Sequence, residues 1–413
     1  MYVRYTIKKK GSFLIMNINR GGQIEKEKIF TRDFALNWFA NFFIFLGFQM
    51  TLPTVPIFVN ELGGSDQLIG VIVGVFTFSA LIIRPFAGHA LETKGRGKVY
   101  LFGLLLFVFS VGTFGFLTSM AMLIIMRIVQ GIGWGFSSTA SGTIATDLIP
   151  RNRRGEGMGY YGLSGNFALA IGPALGLTLA DVISFKQLFV ITALFGLFAF
   201  ILSLFIRYQK VAESPDKTHV ARFDIVEKAA INPAIILMFV TLTFGGITTF
   251  LPLYALERGV AGIQFYFISF ALSVMLSRVF AGKLYDKKGD VYVVPPGISL
   301  VIVAMLLLAW LPNLFVLILG GALYGLGFGT IQPALQAWAV NAAPANRKGM
   351  ANATFFSAFD TGVGVGALLF GQIAFMFNYT AIYLISAMSV LIALLYYIFL
   401  IVTGRRNAEA PPQ

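Results

Sequence analysis

The chain has 413 residues, of which 57% are apolar and only 12% are charged, and its formal net charge is +13. Soluble domains carry about 25% charged residues, so an arrangement of soluble domains is excluded. The 42 Phe and 15 Tyr exclude a disordered chain. The absence of cysteine from the sequence excludes disulfide scaffolds, thiolate metal sites and cysteine nucleophiles.

Residues 1–32 precede the first long apolar run. Three lysines at 8–10 are followed by an apolar stretch at 13–16, which is too short for a signal peptide and has no small-residue cleavage site after it. We therefore predict a cytoplasmic N-terminal extension, within which Met16 is an alternative start of the natural chain.

The rest of the chain contains twelve runs of about 20 mostly apolar residues, the length that crosses a bilayer as a helix. The runs cover residues 34–58, 68–91, 99–118, 120–144, 157–180, 187–207, 233–256, 263–285, 291–312, 314–340, 349–376 and 380–403. We predict an all-α polytopic membrane protein with twelve transmembrane helices in two six-helix bundles. The predicted divisions are an N-terminal bundle at 33–207, a cytoplasmic central loop at 208–232, a C-terminal bundle at 233–403 and a cytoplasmic tail at 404–413.

The basic residues predict the orientation of these helices. Of the 31 Lys and Arg, 26 fall on the side of the membrane that holds both termini, and only Lys186 and Arg258 fall in the opposite loops. Cytoplasmic loops carry an excess of Lys and Arg. Both termini are therefore predicted to lie on the cytoplasmic side of the plasma membrane, and membrane topology rather than nucleic-acid binding explains the net charge.

Three separate stretches of the first half recur in the second half at one offset of 194 residues. The matching pairs are 84–88 with 278–282, the glycines at 131, 133 and 135 with those at 325, 327 and 329, and 150–155 with 344–349. The shared offset predicts two copies of a six-helix unit, related by an axis along the membrane normal. Secondary transporters with alternating access are built this way, and their substrate site lies between the halves.

Two signatures in the first half point to one family. Gly88, Glu92, Gly95 and Arg96 lie in the loop after the second helix, and Arg-Ile-Val-Gln-Gly at 127–131 lies in the fourth helix. With these signatures and its six-plus-six repeat, the chain resembles the major facilitator superfamily over nearly its whole length. Glu92 replaces the aspartate that is usual in the loop signature.

The fifth helix carries a motif that resembles the antiporter motif of the twelve-helix drug:proton antiporters. It contains Gly172, Pro173 and Gly176, but Leu177 stands where that motif usually has a second glycine. The resemblance implies export driven by a proton gradient, without a cofactor. Small residues at this spacing also allow close helix packing, whatever the function of the chain.

Asp360, Asp33 and Arg127 are the candidates for proton coupling. A charge at the bilayer centre costs about 2.5–3.5 kcal/mol on insertion scales, and Asp360 alone among the acids lies well inside a predicted span. Burial favours the protonated form of a carboxyl group, so Asp360 is predicted to carry the proton, with a structural hydrogen bond as the alternative. Asp33 lies near the cytoplasmic edge, where a solvated cap is the alternative. The resemblance gives Arg127 a role in alternating with a carboxylate, and a permanent salt bridge or a snorkelling side chain is the alternative.

Six polar or aromatic side chains are predicted to line the substrate cavity, because they form stripes on otherwise apolar helices. They are Asn37 and Asn41 of the first helix, Gln130 and Trp134 of the fourth, and Gln332 and Gln336 of the tenth. Hydrogen bonding between helices, without a role in transport, is the alternative for these polar groups.

A gate at the cytoplasmic face is implied by the resemblance. Its residues are Arg84, Gly88, Glu92, Gly95, Arg96, Arg278, Gly282 and Asp286. The loop carboxylate is expected at the N-terminus of a neighbouring helix, where the helix dipole favours negative charge. Arg84 and Arg278 lie near helix ends, so their side chains are expected to snorkel toward the membrane surface.

We therefore predict a monomeric secondary transporter that exports small amphipathic molecules by alternating access, coupled to protons. A proton-coupled symporter that imports a sugar or another metabolite is the alternative. An enzyme or a metal site is not expected, since the two histidines, His89 and His219, belong to no cluster of metal ligands and lie beside no nucleophile.

Overall fold

The computed structural model describes residues 3–9, 12–18, 28–150, 153–208, 226–344 and 348–403. Twelve long helices make up most of this part of the chain. They are α1 Arg32–Glu61, α2 Asp66–Thr93, α3 Arg96–Phe114, α4 Met120–Leu148, α5 Arg154–Val182, α6 Phe185–Leu204, α7 Ile231–Glu257, α8 Gln264–Lys288, α9 Val294–Trp310, α10 Leu314–Ala342, α11 Lys348–Met376 and α12 Tyr379–Val402.

The N-terminal extension contains a feature that we did not predict. Strands β1 Val3–Lys9 and β2 Ser12–Ile18 form an antiparallel hairpin, in which Val3 pairs with Ile18 and Lys9 with Ser12. The signal for β1 is present in the sequence, because apolar or aromatic residues alternate with polar ones over 3–8, the period of a strand.

Several helices begin at a residue whose side chain caps the free backbone N–H groups of the first turn. The capping residues are Thr31, Ser65, Ser184, Asn313 and Asn378. Such caps stop a helix at a fixed residue, and they explain why the observed starts lie within a few residues of the predicted apolar runs.

The helices have the length and composition of membrane spans. Ten helices among the described residues are long and apolar enough to cross a bilayer, and the apolar stretches Gln264–Ser277 of α8 and Val294–Trp310 of α9 are shorter. The prediction of an all-α polytopic membrane protein is confirmed, and twelve spans is an approximate count.

The packing of the helices repeats between the two halves. Helix α1 packs against α4, α5 and α6, and α7 packs in the same way against α10, α11 and α12. The pairs α2–α4, α3–α4 and α3–α6 likewise have the counterparts α8–α10, α9–α10 and α9–α12. Between the halves, α2 packs on α11 and α5 on α8, two contacts that exchange under the pseudo-twofold axis. We call these contacts the α2–α11 seam and the α5–α8 seam.

The repeat extends to single glycine contacts. A Cβ atom on Gly131 of α4 would collide with the carbonyl oxygen of Phe76 on α2, and a Cβ atom on Gly325 of α10 would collide with that of Phe270 on α8. Both members of the second pair are 194 residues from those of the first. The repeated glycines therefore mark the same close approach of two helices in each half, as the sequence offset predicts.

The two halves meet at one face of the membrane part. We call the face at which α1 begins and α12 ends the terminal face, and the other the opposite face. At the opposite face, a Cβ atom on Gly371 would stand 3.0 Å from the Cα atom of Gly70, and the Tyr379 hydroxyl donates to Asp66 Oδ1 over 2.6 Å. Nearer the terminal face, Gly88 has no atom within 4 Å of a Cβ position. The halves are thus closed together at the opposite face.

Candidate functional site

An ion pair joins the two halves across the α2–α11 seam. Arg84 Nη1 of α2 donates to Asp360 Oδ2 of α11, a residue 276 positions away in the chain. The Arg84 side chain was expected to snorkel to the membrane surface; it turns instead to the one acid that lies deep in a predicted span. The side chains keep 27% and 22% of their surface exposed, so the pair is not fully enclosed by the protein.

The chemistry of this pair fits a switch. Each charge alone is costly at membrane depth, and pairing offsets much of that cost. A proton on Asp360 would remove the attraction and leave the Arg84 guanidinium without a counter-charge. Because the two residues belong to different halves, gain or loss of one proton changes the free energy that holds the halves together at this level.

Arg127 of α4 is fully buried inside the first half. Its Nε donates to the Ile72 carbonyl oxygen over 3.1 Å, its Nη1 donates to Gln130 Oε1 over 2.6 Å, and its Cζ lies 4.6 Å from the centre of the Phe76 ring. No described carboxylate lies within ion-pair distance of Arg127, and its Nη2 has no hydrogen-bond partner among the described residues. The backbone carbonyl, the amide and the ring face disperse its charge.

Asp33 lies in the first turn of α1, at the terminal face, and its Oδ1 accepts from the backbone N–H of Arg207 over 3.2 Å. It ties the start of α1 to the chain just after α6. Helix α4 begins at the opposite face, and Arg127 lies in its third turn. Arg127 is therefore near the opposite face, whereas Asp33 is at the terminal face. The structure therefore does not bring Asp33, Arg127 and Asp360 together.

Asn37 and Asn41 belong to a hydrogen-bond network inside the first half. Asn37 Nδ2 donates to the Ser141 carbonyl oxygen over 3.1 Å, and Asn41 Nδ2 donates to Ser164 Oγ over 2.7 Å. The Tyr161 hydroxyl donates to Asn41 Oδ1 over 2.7 Å. The polar stripe of α1 thus faces α4 and α5, and its amides form hydrogen bonds between helices, while the place of Asn37 and Asn41 in a substrate cavity stays a prediction.

Three further predicted cavity residues, Gln130, Trp134 and Gln336, contact residues of their own half. Trp134 stacks on Phe48 with 4.0 Å between ring centres. Gln336 Nε2 of α10 donates to Asn352 Oδ1 of α11 over 3.1 Å, and Gln332 lies half-buried one turn away. Gln130 accepts from Arg127, as described above. The ion pair of Arg84 with Asp360, by contrast, crosses the interface between the halves.

The predicted gate is anchored on the end of α4. Gly95 precedes α3 with a φ of 92°, a left-handed conformation that favours glycine. Arg96 then donates from Nε to Asp147 Oδ2 over 3.0 Å and from Nη1 to the Leu91 carbonyl oxygen over 2.8 Å. The side chains of Glu92, Arg278, Gly282 and Asp286 lie outside the described residues, so the expected place of the loop carboxylate stays a prediction.

The antiporter-like motif of α5 packs on α1. Cβ atoms on Gly172 and Gly176 would stand 3.2 Å from the Leu46 carbonyl oxygen and 2.9 Å from the Met50 carbonyl oxygen, while Pro173 lies in the helix interior. The close helix packing predicted for these glycines is thus observed.

Three contacts were missed by reasoning from sequence. Asp147 was placed in a loop, although α4 continues past it to Leu148 and it receives Arg96. Tyr161 of α5 closes the asparagine network, and Tyr379 reaches Asp66 between the halves. No local sequence pattern indicates these three contacts, because each joins residues that are far apart in the chain.

Comparison with known proteins places this architecture in a family. The profile described as Major Facilitator Superfamily matches residues 38–314 and 261–413. The two matches together cover every helix after the first turns of α1.

The chain is similar along most of its length to curated exporters. It is 26% identical to a staphylopine export protein of Staphylococcus aureus, over 83% of this chain and 89% of that protein. It is 26% identical to the multidrug resistance protein MdtG of Dickeya zeae, over 92% and 96% of the two chains. It is 24% identical to the quinolone resistance protein NorA of Staphylococcus aureus, over 81% and 88%.

Solved structures share the fold at low sequence identity. A crystal structure of the nucleoside transporter NupG superposes with a TM-score of 0.73 at 14% identity, covering 89% of this chain and 99% of that one. A peptide transporter of the POT type gives a TM-score of 0.74 at 14% identity, covering 91% and 95%. These proteins are membrane transporters rather than enzymes, and at this identity the likeness concerns the fold alone.

Proposed function

The chain belongs to the major facilitator superfamily, and from that premise we propose that this multi-pass membrane transporter exports small amphipathic molecules in exchange for protons. The Arg84–Asp360 ion pair between the halves carries the proposal, because it links a protonatable group to the contact that must change during transport. The names of the similar proteins, which refer to export and to drug resistance, support the direction of transport.

The proposed cycle uses the two halves as the moving units. In the state described here, the halves are closed at the opposite face and Asp360 is paired with Arg84. Substrate binding from the terminal side shifts the population toward the state open at the opposite face, where Asp360 takes up a proton from that side. The protonated transporter returns to the state open at the terminal face, and release of the proton there restores the ion pair.

The orientation follows from the positive-inside rule. We propose that the terminal face is cytoplasmic, because the predicted topology assigns 26 of the 31 basic residues to that side, and that the protein works as a monomer in the plasma membrane. In this orientation, the closed opposite face is the external one. The ion pair then borders the space that opens to the cytoplasm.

Purified full-length protein in proteoliposomes tests the coupling. The dyes ethidium and Hoechst 33342 serve as amphipathic probes, and an acidic lumen represents the external side. We expect the unaltered protein to accumulate dye in the acidic lumen, because protons leaving the lumen drive dye inward. Accumulation under the reverse gradient would favour the symporter.

The Asp360→Asn variant tests the residue. It keeps the shape of the side chain and removes its proton exchange, so gradient-driven accumulation should be lost while dye exchange without a gradient remains. Asp181→Asn, which changes an exposed acid at the opposite end of α5, is the matched control and should accumulate dye normally. Normal accumulation by Asp360→Asn would end the proposed proton role of Asp360.

A further inference from the structure

The antiparallel hairpin of the N-terminal extension has two unlike faces. Residues that pair directly across two antiparallel strands lie on the same face of the sheet. The register therefore places six apolar or aromatic residues together on what we call the apolar face: Val3, Tyr5, Ile7, Leu14, Met16 and Ile18. The other face, which we call the mixed face, carries Arg4, Thr6, Lys8 and Asn17 beside Phe13 and Ile15.

The apolar face needs a cover. A hairpin of two strands is at best marginally stable in water, and it gains stability when a hydrophobic face packs on another surface. Among the described elements, each strand packs extensively on the other strand and on none of the twelve helices. The cover is therefore to be sought outside the described helices of this chain.

The chain just before α1 lies at the level of the lipid headgroups. Ile29 is buried in a small apolar cluster with Ile149, which follows α4. Phe30 is 64% exposed, and its ring centre lies 5.0 Å from that of Tyr160 on α5. The Trp38 indole N–H donates to the Tyr160 carbonyl oxygen over 2.8 Å. Trp and Tyr are enriched where membrane proteins cross the interface between lipid and water, so these aromatic residues mark that level.

The link between the hairpin and α1 is short. Ten residue steps separate Ile18 from Lys28, and a fully extended chain of that length reaches at most about 36 Å. Because Ile29 is packed on the first half, the hairpin stays beside the terminal end of α1. The nearest large surface that is not protein is the bilayer around α1 and α5.

The charge of the hairpin favours an anionic lipid surface as the cover. Residues 3–18 include four basic residues and no acidic one. Anionic lipids attract basic segments, with a gain of about fivefold in the binding equilibrium for each Lys or Arg near the surface. A second copy of the hairpin would instead bring four further positive charges close to these four, which opposes pairing of two copies through this face.

We propose that the hairpin is a peripheral membrane anchor, which lies flat on anionic lipid beside α1 and α5 with its apolar face in the boundary between headgroups and acyl chains. Its four basic residues then lie within about one Debye length, about 8–10 Å, of the lipid phosphates. That this lipid belongs to the cytoplasmic leaflet rests on the proposed orientation; the attachment itself does not. The anchor holds the start of α1, and with it the first half, to the membrane surface.

Spin labels on the full-length protein test the anchor. Leu14→Cys reports on the apolar face and Ile15→Cys, its matched control one residue away, on the mixed face, since the 413 residues contain no other cysteine. The protein is held in nanodiscs of equal parts phosphatidylglycerol and phosphatidylcholine. Oxygen, which concentrates among acyl chains, and a water-soluble nickel chelate are the collision partners of the label.

We expect the ratio of oxygen to nickel collisions to be about tenfold higher at position 14 than at position 15, because the apolar face of an interfacial element lies about 5–10 Å into the headgroup boundary. Frequent nickel collisions at both positions would show an uncovered face. Few collisions of either kind at position 14 would show a cover of protein, from a second copy or from this chain. Either of these two results overturns the proposal.

Charge variants test the choice of anionic lipid. Arg4→Gln combined with Lys8→Gln should lower the ratio of bilayer-bound to detached label at position 14 about 25-fold, which is about fivefold for each charge. Lys94→Gln combined with Lys98→Gln removes the same charge from exposed positions where α2 connects to α3, and should leave the ratio unchanged. Equal ratios in the two double variants would contradict attachment by charge.

The test of the anchor and the test of the proposed function can fail separately. Nanodiscs present the same lipids on both faces, so the collision ratios do not depend on the orientation of the protein or on transport. The expected ratios without gradient-driven dye transport would uphold the anchor and remove the proposed function. Dye transport with equal collision ratios at positions 14 and 15 would uphold the proposed function and remove the anchor.

Discussion

At the scale of single residues, the informative contact is the one between Arg84 and Asp360. Each charge at this depth needs the other, since an ion pair that loses one partner leaves an uncompensated charge behind. The partial exposure of both side chains lowers that cost below the value for a dry interior. The pair therefore combines modest stabilisation with access for a proton.

Removal of Arg84 and removal of Asp360 should therefore have non-additive effects on stability. Arg84→Leu should destabilise the protein by about 1–3 kcal/mol, because Asp360 loses its counter-charge. The double variant Arg84→Leu with Asp360→Leu should recover most of that loss, because no charge remains. The loss of the monomeric gel-filtration peak on heating measures the stability of each variant. A double variant whose loss of stability equals the sum of the losses in the two single variants would contradict the prediction.

At the scale of helices, the repeated glycines set the distance between α4 and α2 and between α10 and α8. Gly131→Ala should destabilise the protein by about 1–3 kcal/mol, since the added methyl group meets the Phe76 carbonyl oxygen. Gly142→Ala in the same helix meets no atom within 4 Å and should stabilise by about 0.5–1 kcal/mol through helix propensity. If both variants melted at a higher temperature than the unaltered protein, or both at a lower one, this account would be contradicted.

The same helices show how far sequence reasoning can go. Apolar length, capping residues and the offset of 194 are local or repeated signals, and they predict the helices and the equivalence of Gly131 and Gly325 in the two halves. The partner of Asp360 could not be predicted this way, because it lies 276 residues away and is chosen by the contact between halves. The stripe of Asn37 and Asn41 has a clear period, but the period does not say whether the helix turns it to α5 or to a cavity.

At the scale of the whole molecule, transport requires that two closed arrangements differ by only a few kcal/mol. The glycine contacts of the α2–α11 seam and the bond between Tyr379 and Asp66 stabilise closure at the opposite face. The ion pair stabilises the terminal-side part of the α2–α11 seam. Removing the Tyr379–Asp66 hydrogen bond or the Arg84–Asp360 ion pair should therefore change the populations of the two arrangements without unfolding the helices.

Tyr379→Phe tests this balance. It removes the hydroxyl that reaches Asp66, and a hydrogen bond to a charged group is worth about 1.5–3 kcal/mol before solvent competes at this edge. We expect the ratio of separated to closed molecules at the opposite face to rise about fivefold to tenfold. Spin labels at Asp181→Cys and Glu257→Cys measure the distance between the halves at this face, since the 413 residues contain no other cysteine.

Tyr396→Phe is the control for this measurement. It removes the same atom from a tyrosine whose hydroxyl donates to Asn232 over 2.8 Å within the second half. Because no contact between the halves is lost, its distance distribution should match that of the unaltered protein. Equal distributions for both variants would show that the Tyr379–Asp66 bond does not hold the opposite face closed, and that the helix packing between the halves does so instead.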